Sequence, residues 1–328
     1  MFSQFDRLLQ DSPHLGSCVK LFRSVPKTPA QRELFLVISG KLGNVEELAF
    51  LCPFRELPLA KSVSGIGPVK KLWFEIMAAW HLPTLAAYFD ALPFVADLVF
   101  TISLYPEGYA DSHEDLDIFS QALSKLRLKR LKTNGNACEI LAPCLATRPP
   151  EAIQELRIEM ADAHVEWRPV SCVMNTTRHS LKCLSITMTR QRWDEPTLPT
   201  LASIFNCPKL THLILEANIS NSKFIITLLP RIEAPQLQEL HLEFGFANGG
   251  IRELSGLASL RDHLLDRCRT SRLREISIQI QAFVRPEEAW EKYKQAVVAL
   301  FAPLHDHNNL QLELRYRDGF ESAYYMYR

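Results

Sequence analysis

One string of apolar and polar positions, apolar-x-x-Leu/Ile-x-apolar, returns along the chain. Its copies begin at Val45, Val69, Val95, Leu128, Ile153, Leu181, Leu210, Leu237 and Leu273. Typical copies are Val45-Glu-Glu-Leu48-Ala-Phe50, Val95-Ala-Asp-Leu98-Val-Phe100 and Leu237-Gln-Glu-Leu240-His-Leu242. A poorer copy at Leu310-Gln-Leu312-Glu-Leu314 closes the series, and Val19-Lys-Leu-Phe22 opens it. Alternation of this kind predicts a short strand with one buried face. Between the copies, apolar residues fall at helical spacing. They predict helices over Pro29–Leu42, Glu114–Leu126, Leu198–Phe205, Ser222–Ile232, Ile251–Cys268 and Glu287–Leu304, with starts at Asn221 and Pro286.

The first residues of successive copies lie 24, 26, 33, 25, 28, 29, 27 and 36 apart. That clusters near the roughly 20–29 residues of a leucine-rich repeat, with room for insertions in the longer units. The fullest copy is Cys207-Pro-Lys-Leu210-Thr-His-Leu213-Ile-Leu215-Glu-Ala-Asn218, where the Asn218 amide is placed to bond backbone groups of the following turn. A unit of strand, turn, helix and loop cannot bury both faces alone, so neighbours must stack. The expected fold is an α/β leucine-rich-repeat solenoid, a ribonuclease-inhibitor-like curved parallel sheet with helices on the convex side. Unrelated strand–helix units in a doubly wound sheet are the competing reading. Such strands have no need to share one string at a near-constant period.

With the leucines inward, the intervening residues face the concave side and can be named from sequence. They include Glu47, Ala49, Lys71, Trp73, Glu75, Asp97, Val99, Cys183, Ser185 and Gln279. Arg130, Lys132 and Arg157 form a basic centre flanked by Glu155 and Glu159. Glu216, Glu239, Glu243, Glu275 and Glu313, with His212 and His241, form an acidic sector on the late strands. This surface reads in two ways: a docking face for a basic segment of a protein partner, with Trp73 an anchor elsewhere, or an ordinary solvated sheet face.

Composition excludes other classes. The chain has 328 residues, 47% hydrophobic and 23% charged, which is ordinary for a globular protein. With 37 basic and 37 acidic residues it lacks the bulk charge that coats nucleic acid or an anionic membrane, so neither is an expected partner. The N-terminus is unlike a signal peptide, and no apolar run is long enough to span a bilayer. Eight cysteines without a CxxC pair suggest reduced, buried thiols, and the expected location is cytoplasmic or nuclear.

Catalytic chemistry finds no support in the motifs. His212, His241, Glu239, Glu243 and Glu216 have side chains suited to zinc, but no HExxH-type spacing accompanies them, and no metal or cofactor is expected. Asp111–Asp117 lacks the glycine and spacing of a calcium loop and suits an acid-rich helix start. Gly65-Ile-Gly67-Pro68 precedes a strand instead of linking strand to helix, so it is not a phosphate loop. His305-Asp-His307 suits a solvated cap, and Cys138 and Cys144 suit core thiols.

The strand strings, the Pro-x-Leu lead-ins and the irregular helical spacers resemble the repeat region of fungal F-box/leucine-rich-repeat proteins. The segment Phe5–Phe22 is similar to the link joining the F-box to the first repeat in that family, and Leu260–Cys268 followed by Arg272–Ile276 has the same style. The F-box module itself is not visible before Phe5. The resemblance implies a non-catalytic substrate-recognition solenoid for a cullin-RING ubiquitin ligase, with a Skp-type adaptor as partner only if an F-box lies upstream. It implies one domain over residues 1–328, made of a linker-like segment (1–18), repeats (19–315) and a tail (316–328). The alternatives are a repeat protein unrelated to ubiquitination, a metal-dependent protein using the late-strand His/Glu cluster, and a small-molecule binder closed by loops near 105–115 and 245–260.

Overall fold

The computed structural model describes residues 2–24, 28–52, 60, 63–76, 82–103, 112–147, 153–160, 167–188, 206–217, 225–226, 228–229, 232–246, 251–270, 272–282, 287–305 and 309–316. The helix expected over Leu198–Phe205, Asn218 and the loop segments 104–111 and 247–250 lie outside them, as do His307 and the tail beyond Tyr316. The chain divides into two compact units. The first holds Met1–Leu156 and Arg168–Thr177, the second Arg157–Trp167 and Arg178–Arg328.

In the first unit β1 (Leu21–Ser24), β2 (Glu47–Cys52), β3 (Lys71–Ile76), β4 (Asp97–Ile102) and β5 (Arg130–Asn134) pair in chain order, all parallel. The helices α1 (Phe2–Asp11), α2 (Leu15–Cys18), α3 (Pro29–Ser39), α4 (Leu82–Ala91), α5 (His113–Lys125) and α6 (Gly135–Thr147) belong to the same unit. β6 (Glu155–Met160) and α7 (Trp167–Thr177) carry residues of both units. In the second, β7 (Cys183–Met188), β8 (His212–Ala217), β9 (Glu239–Phe246), β10 (Glu275–Ala282) and β11 (Asn309–Tyr316) again pair parallel and in order. With them are α8 (Ile251–Thr270) and α9 (Glu287–His305). Each unit therefore combines parallel strands in chain order with helices, as expected, and among the described residues no named helix lies between β2 and β3, β7 and β8, or β8 and β9.

The repeated string explains the register. Its central leucines are direct partners: Leu48, Leu72, Leu98 and Leu131 in the first unit, Leu184, Leu213, Leu240 and Ile276 in the second. None of them is more than 2% exposed. The residue that opens each string is buried too, from Val45 to Leu273. The backbone repeats with the same period. The carbonyl just before a strand accepts two N–H groups from the same place in the next repeat. Glu46 O takes the N–H of Lys70 and Lys71, Lys70 O those of Ala96 and Asp97, and Thr211 O those of Gln238 and Glu239. One sequence string thus fixes side-chain layer and backbone pairing together.

Aromatic residues carry the core of the first unit. Phe22 of β1 stacks on Phe35 of α3 at 5.4 Å, and Phe50 of β2 on Phe74 of β3 at 5.5 Å. Tyr88 of α4 meets both in edge contacts at 5.1 and 5.6 Å, and Phe119 of α5 lies 6.0 Å from Phe100 of β4. The helices therefore cover the face that carries Leu48, Phe50, Leu72 and Phe74, and the alternate residues point the other way.

Local signals set the helix ends. Thr28 caps α3 by accepting from Gln31 N at 3.2 Å, with Pro29 at the first helical position. Ser112 caps α5 by accepting from Asp115 N at 3.1 Å, and Glu114 and Asp115 fill its first turn, so the acidic run is the helix start that its composition suggested. The stretch resembling a linker is partly helical. Leu9 of α1 is buried, Asp6 pairs with Lys41 at 2.6 Å, and a Cβ on Gly16 would collide with Lys41 O.

Of the glycines at 65 and 67 only the second has a packing role, since a Cβ on Gly65 would meet nothing within 4 Å. Gly67 sits at φ +129°, a conformation side chains oppose, and a Cβ there would lie 2.6 Å from Val45 N. Cys138 and Cys144 are buried in α6, as core thiols should be, and burial pushes the Cys138 thiol up to about 12.

Candidate functional site

The face opposite the helices is the candidate site, and register decides which of its side chains meet. In the first unit Lys71 lies between Glu47 and Asp97, and Asp97 opposite Arg130. Lys71 Nζ is 3.1 Å from Glu47. Arg130 grips Asp97 with both arms of its guanidinium, Nε donating at 2.7 Å. Arg130, one of the three cations of the expected basic centre, is thus already neutralised. Lys132 is half-buried beside Val99. Arg157 is exposed on β6, among the residues of the second unit.

Trp73, expected as an anchor, is half-buried between Ala49 and Val99. The Arg23 guanidinium lies over its ring, 5.3 Å from the centroid. Among the described residues its Nε1 is buried without a hydrogen-bond partner. Ala49, Val99, Ser185 and Gln279, all assigned to the open face by alternation, are less than 9% exposed. Ala49 lies between Arg23 and Trp73, and Val99 between Trp73 and Lys132, so larger neighbours cover these two, an effect that alternation alone cannot anticipate.

The second unit holds the acidic sector. Two rows cross it: His212, Glu239 and Glu275 in one, Thr187, Glu216, Glu243, Gln279 and Glu313 in the other, with His241 between them opposite Ile214 and Ser277. The expected clustering of late-strand glutamates on one face is therefore present within this unit. Their partners differ. His212 Nε2 lies 3.1 Å from Glu239 and its Nδ1 2.8 Å from Thr211 Oγ1. Thr187 Oγ1 donates to Glu216 at 2.8 Å, and Gln281 Nε2 donates to Glu243. Gln311 donates to Glu275 at 3.4 Å, and Arg315 is forked on Glu313 at 2.8 and 3.1 Å. Glu216, His241 and Glu243, all half-buried, bring one donor atom each within 4.8 Å of one another.

Sequence reasoning missed one cluster of polar side chains in the first unit. Asn134, at the end of β5, is buried and bonds the backbone of β4 and the start of α6: it accepts from Ile102 N at 3.0 Å and Ala137 N at 3.1 Å and donates to Ile102 O at 2.7 Å. This is the role assigned to Asn218 from the fullest copy. The signal was present, since Asn134 directly follows the strand string of its own copy.

Among the described residues no helix is long and apolar enough to cross a membrane. No family model matches the chain, and no curated protein matches it at a significant level.

Proposed function

We propose that the chain is a leucine-rich-repeat protein whose open sheet face docks a basic segment of a protein partner, without catalysis. One observation carries this reading. Glu216, Glu239, Glu243, Glu275 and Glu313 occupy successive parallel strands of the second unit on the face away from the buried leucines. Neighbouring strands lie about 4.8 Å apart, so these carboxylates act on an incoming cation as one field. Arg315 is the one arginine of those strands on that face, and Glu313 already holds it. The resemblance to F-box/leucine-rich-repeat proteins supports a finer reading, substrate recognition for a cullin-RING ligase within the cytoplasm or nucleus.

Affinity capture from cells tests both levels. The bait is the full chain, compared with a triple reversal (Glu239→Lys, Glu275→Lys, Glu313→Lys) and with a helix-face control, Glu291→Lys on α9. Proteins held by the wild type and the control but lost from the triple reversal support docking; identical sets for all three baits overturn it. Recovery of a Skp-type adaptor with its cullin supports ligase membership, and its consistent absence removes that part alone.

A further inference from the structure

Two carboxylates of the proposed docking face stand in a closer arrangement with one imidazole. Glu216 on β8 and Glu243 on β9 are direct register partners, and His241 lies two residues before Glu243 on the same face. Like charges directly opposite on neighbouring strands repel. Thr187 and Gln281 each give one of these carboxylates a neutral hydrogen bond, which offsets part of that repulsion. Arg315, which is coupled electrostatically to Glu243, is held by Glu313. The other imidazole of this face, His212, is engaged by Glu239 and Thr211.

The distances suit an ion. Three donor atoms no more than 4.8 Å apart have a common centre at most about 2.8 Å from each, so movements under about 1 Å bring all three to the 2.0–2.2 Å that zinc asks of nitrogen and oxygen. The side chains are half-buried, which leaves them that freedom. Hydrogen bonds from Thr187 and Gln281 come from outside the trio and orient its carboxylates, as outer-shell partners do around metal ligands. One imidazole with two carboxylates favours a transition ion. Calcium would want about six to eight oxygens, more than these three side chains supply.

We infer that Glu216, His241 and Glu243 form a binding site for a divalent transition ion of the zinc type. Water, or a side chain of the docked partner, completes the coordination on the open side. The sequence marks these side chains as suited to zinc but offers no spacing motif for them, because Glu216 comes from the repeat before the one that holds His241 and Glu243.

The test is calorimetric titration of the chelator-treated full chain with zinc chloride, with bound metal counted by elemental analysis. Cobalt(II) absorption reports the ligand type. The expected result is one saturable zinc site, lost in Glu216→Gln and in His241→Ala but retained in His212→Ala, with a cobalt spectrum free of thiolate charge transfer. Far-UV circular dichroism checks each variant, and Glu243→Gln replaces any that fails to fold. The inference is overturned by the absence of a saturable site in the wild type, by a site that survives loss of these ligands, or by a thiolate-to-cobalt band, which would place the ion on cysteine.

Discussion

Replacing Asn134 by alanine removes an amide that binds three backbone groups at once. Two of them, Ile102 N–H and Ala137 N–H, belong to residues no more than 4% exposed and lose this acceptor altogether. The third, Ile102 C=O, keeps the Asn136 amide at 3.2 Å. Each buried donor left without a partner costs about 1–3 kcal/mol, so the variant should lose roughly 2–6 kcal/mol. With a urea slope of about 3 kcal/mol/M, the midpoint should fall by roughly 0.7–2 M. The assay is urea unfolding followed by far-UV circular dichroism. Asn175→Ala, at an exposed position of α7 in the same unit, serves as the control and should stay within about 0.5 kcal/mol of wild type. Equal midpoints for the two variants would refute the bridging role of Asn134.

Three further outcomes follow from the same contacts. Hydrogen bonds from Lys70 and Lys20, reinforced by their charge, hold the Glu46 carboxyl down at about 2 from an ordinary 4.5. It ionises more easily folded than unfolded, so its contribution is full above pH 4.5 and fades as pH falls toward 2; Glu46→Gln should flatten that acid limb in thermal melts, and an unchanged limb would count against the clamp. Burial raises the Cys138 thiol to about 12 and the Cys207 thiol to about 11, so iodoacetamide at mildly alkaline pH should label exposed Cys18 and spare those two until urea is added, as read by mass spectrometry. Leu240→Ala should cost about 2–5 kcal/mol in urea unfolding and its neighbour Glu239→Ala no more than about 0.5, because consecutive strand residues point to opposite faces.

Much of this was legible in the sequence because one string carries two facts. Period two within it assigns faces, and its return every 24 to 36 residues assigns neighbours, so Leu213 and Leu240 could be paired before their contact was seen. The helices at Pro29, Glu114, Ile251 and Glu287 were marked by apolar stripes, the second also by its acidic start and the last by Pro286. What escaped depends on side chains meeting across repeats. Arg130 counts as a free cation until register sets Asp97 beside it, and Trp73 as an anchor until Arg23 lies over its ring. The helix at Phe2–Asp11 has tertiary partners that lie far along the chain, among them Phe22 against Phe5 and Lys41 against Asp6. Glu216, His241 and Glu243 were known to share a face, but only rotamers bring their donor atoms together.

The proposed docking face is tested most directly by fluorescence-anisotropy titration of an unstructured Lys/Arg-rich peptide against the full chain at several salt concentrations. Saturable binding that weakens steadily with salt, and that is at least about tenfold weaker for the Glu239→Lys, Glu275→Lys, Glu313→Lys chain, is the predicted result. Equal affinity for the wild type and that triple reversal would contradict it.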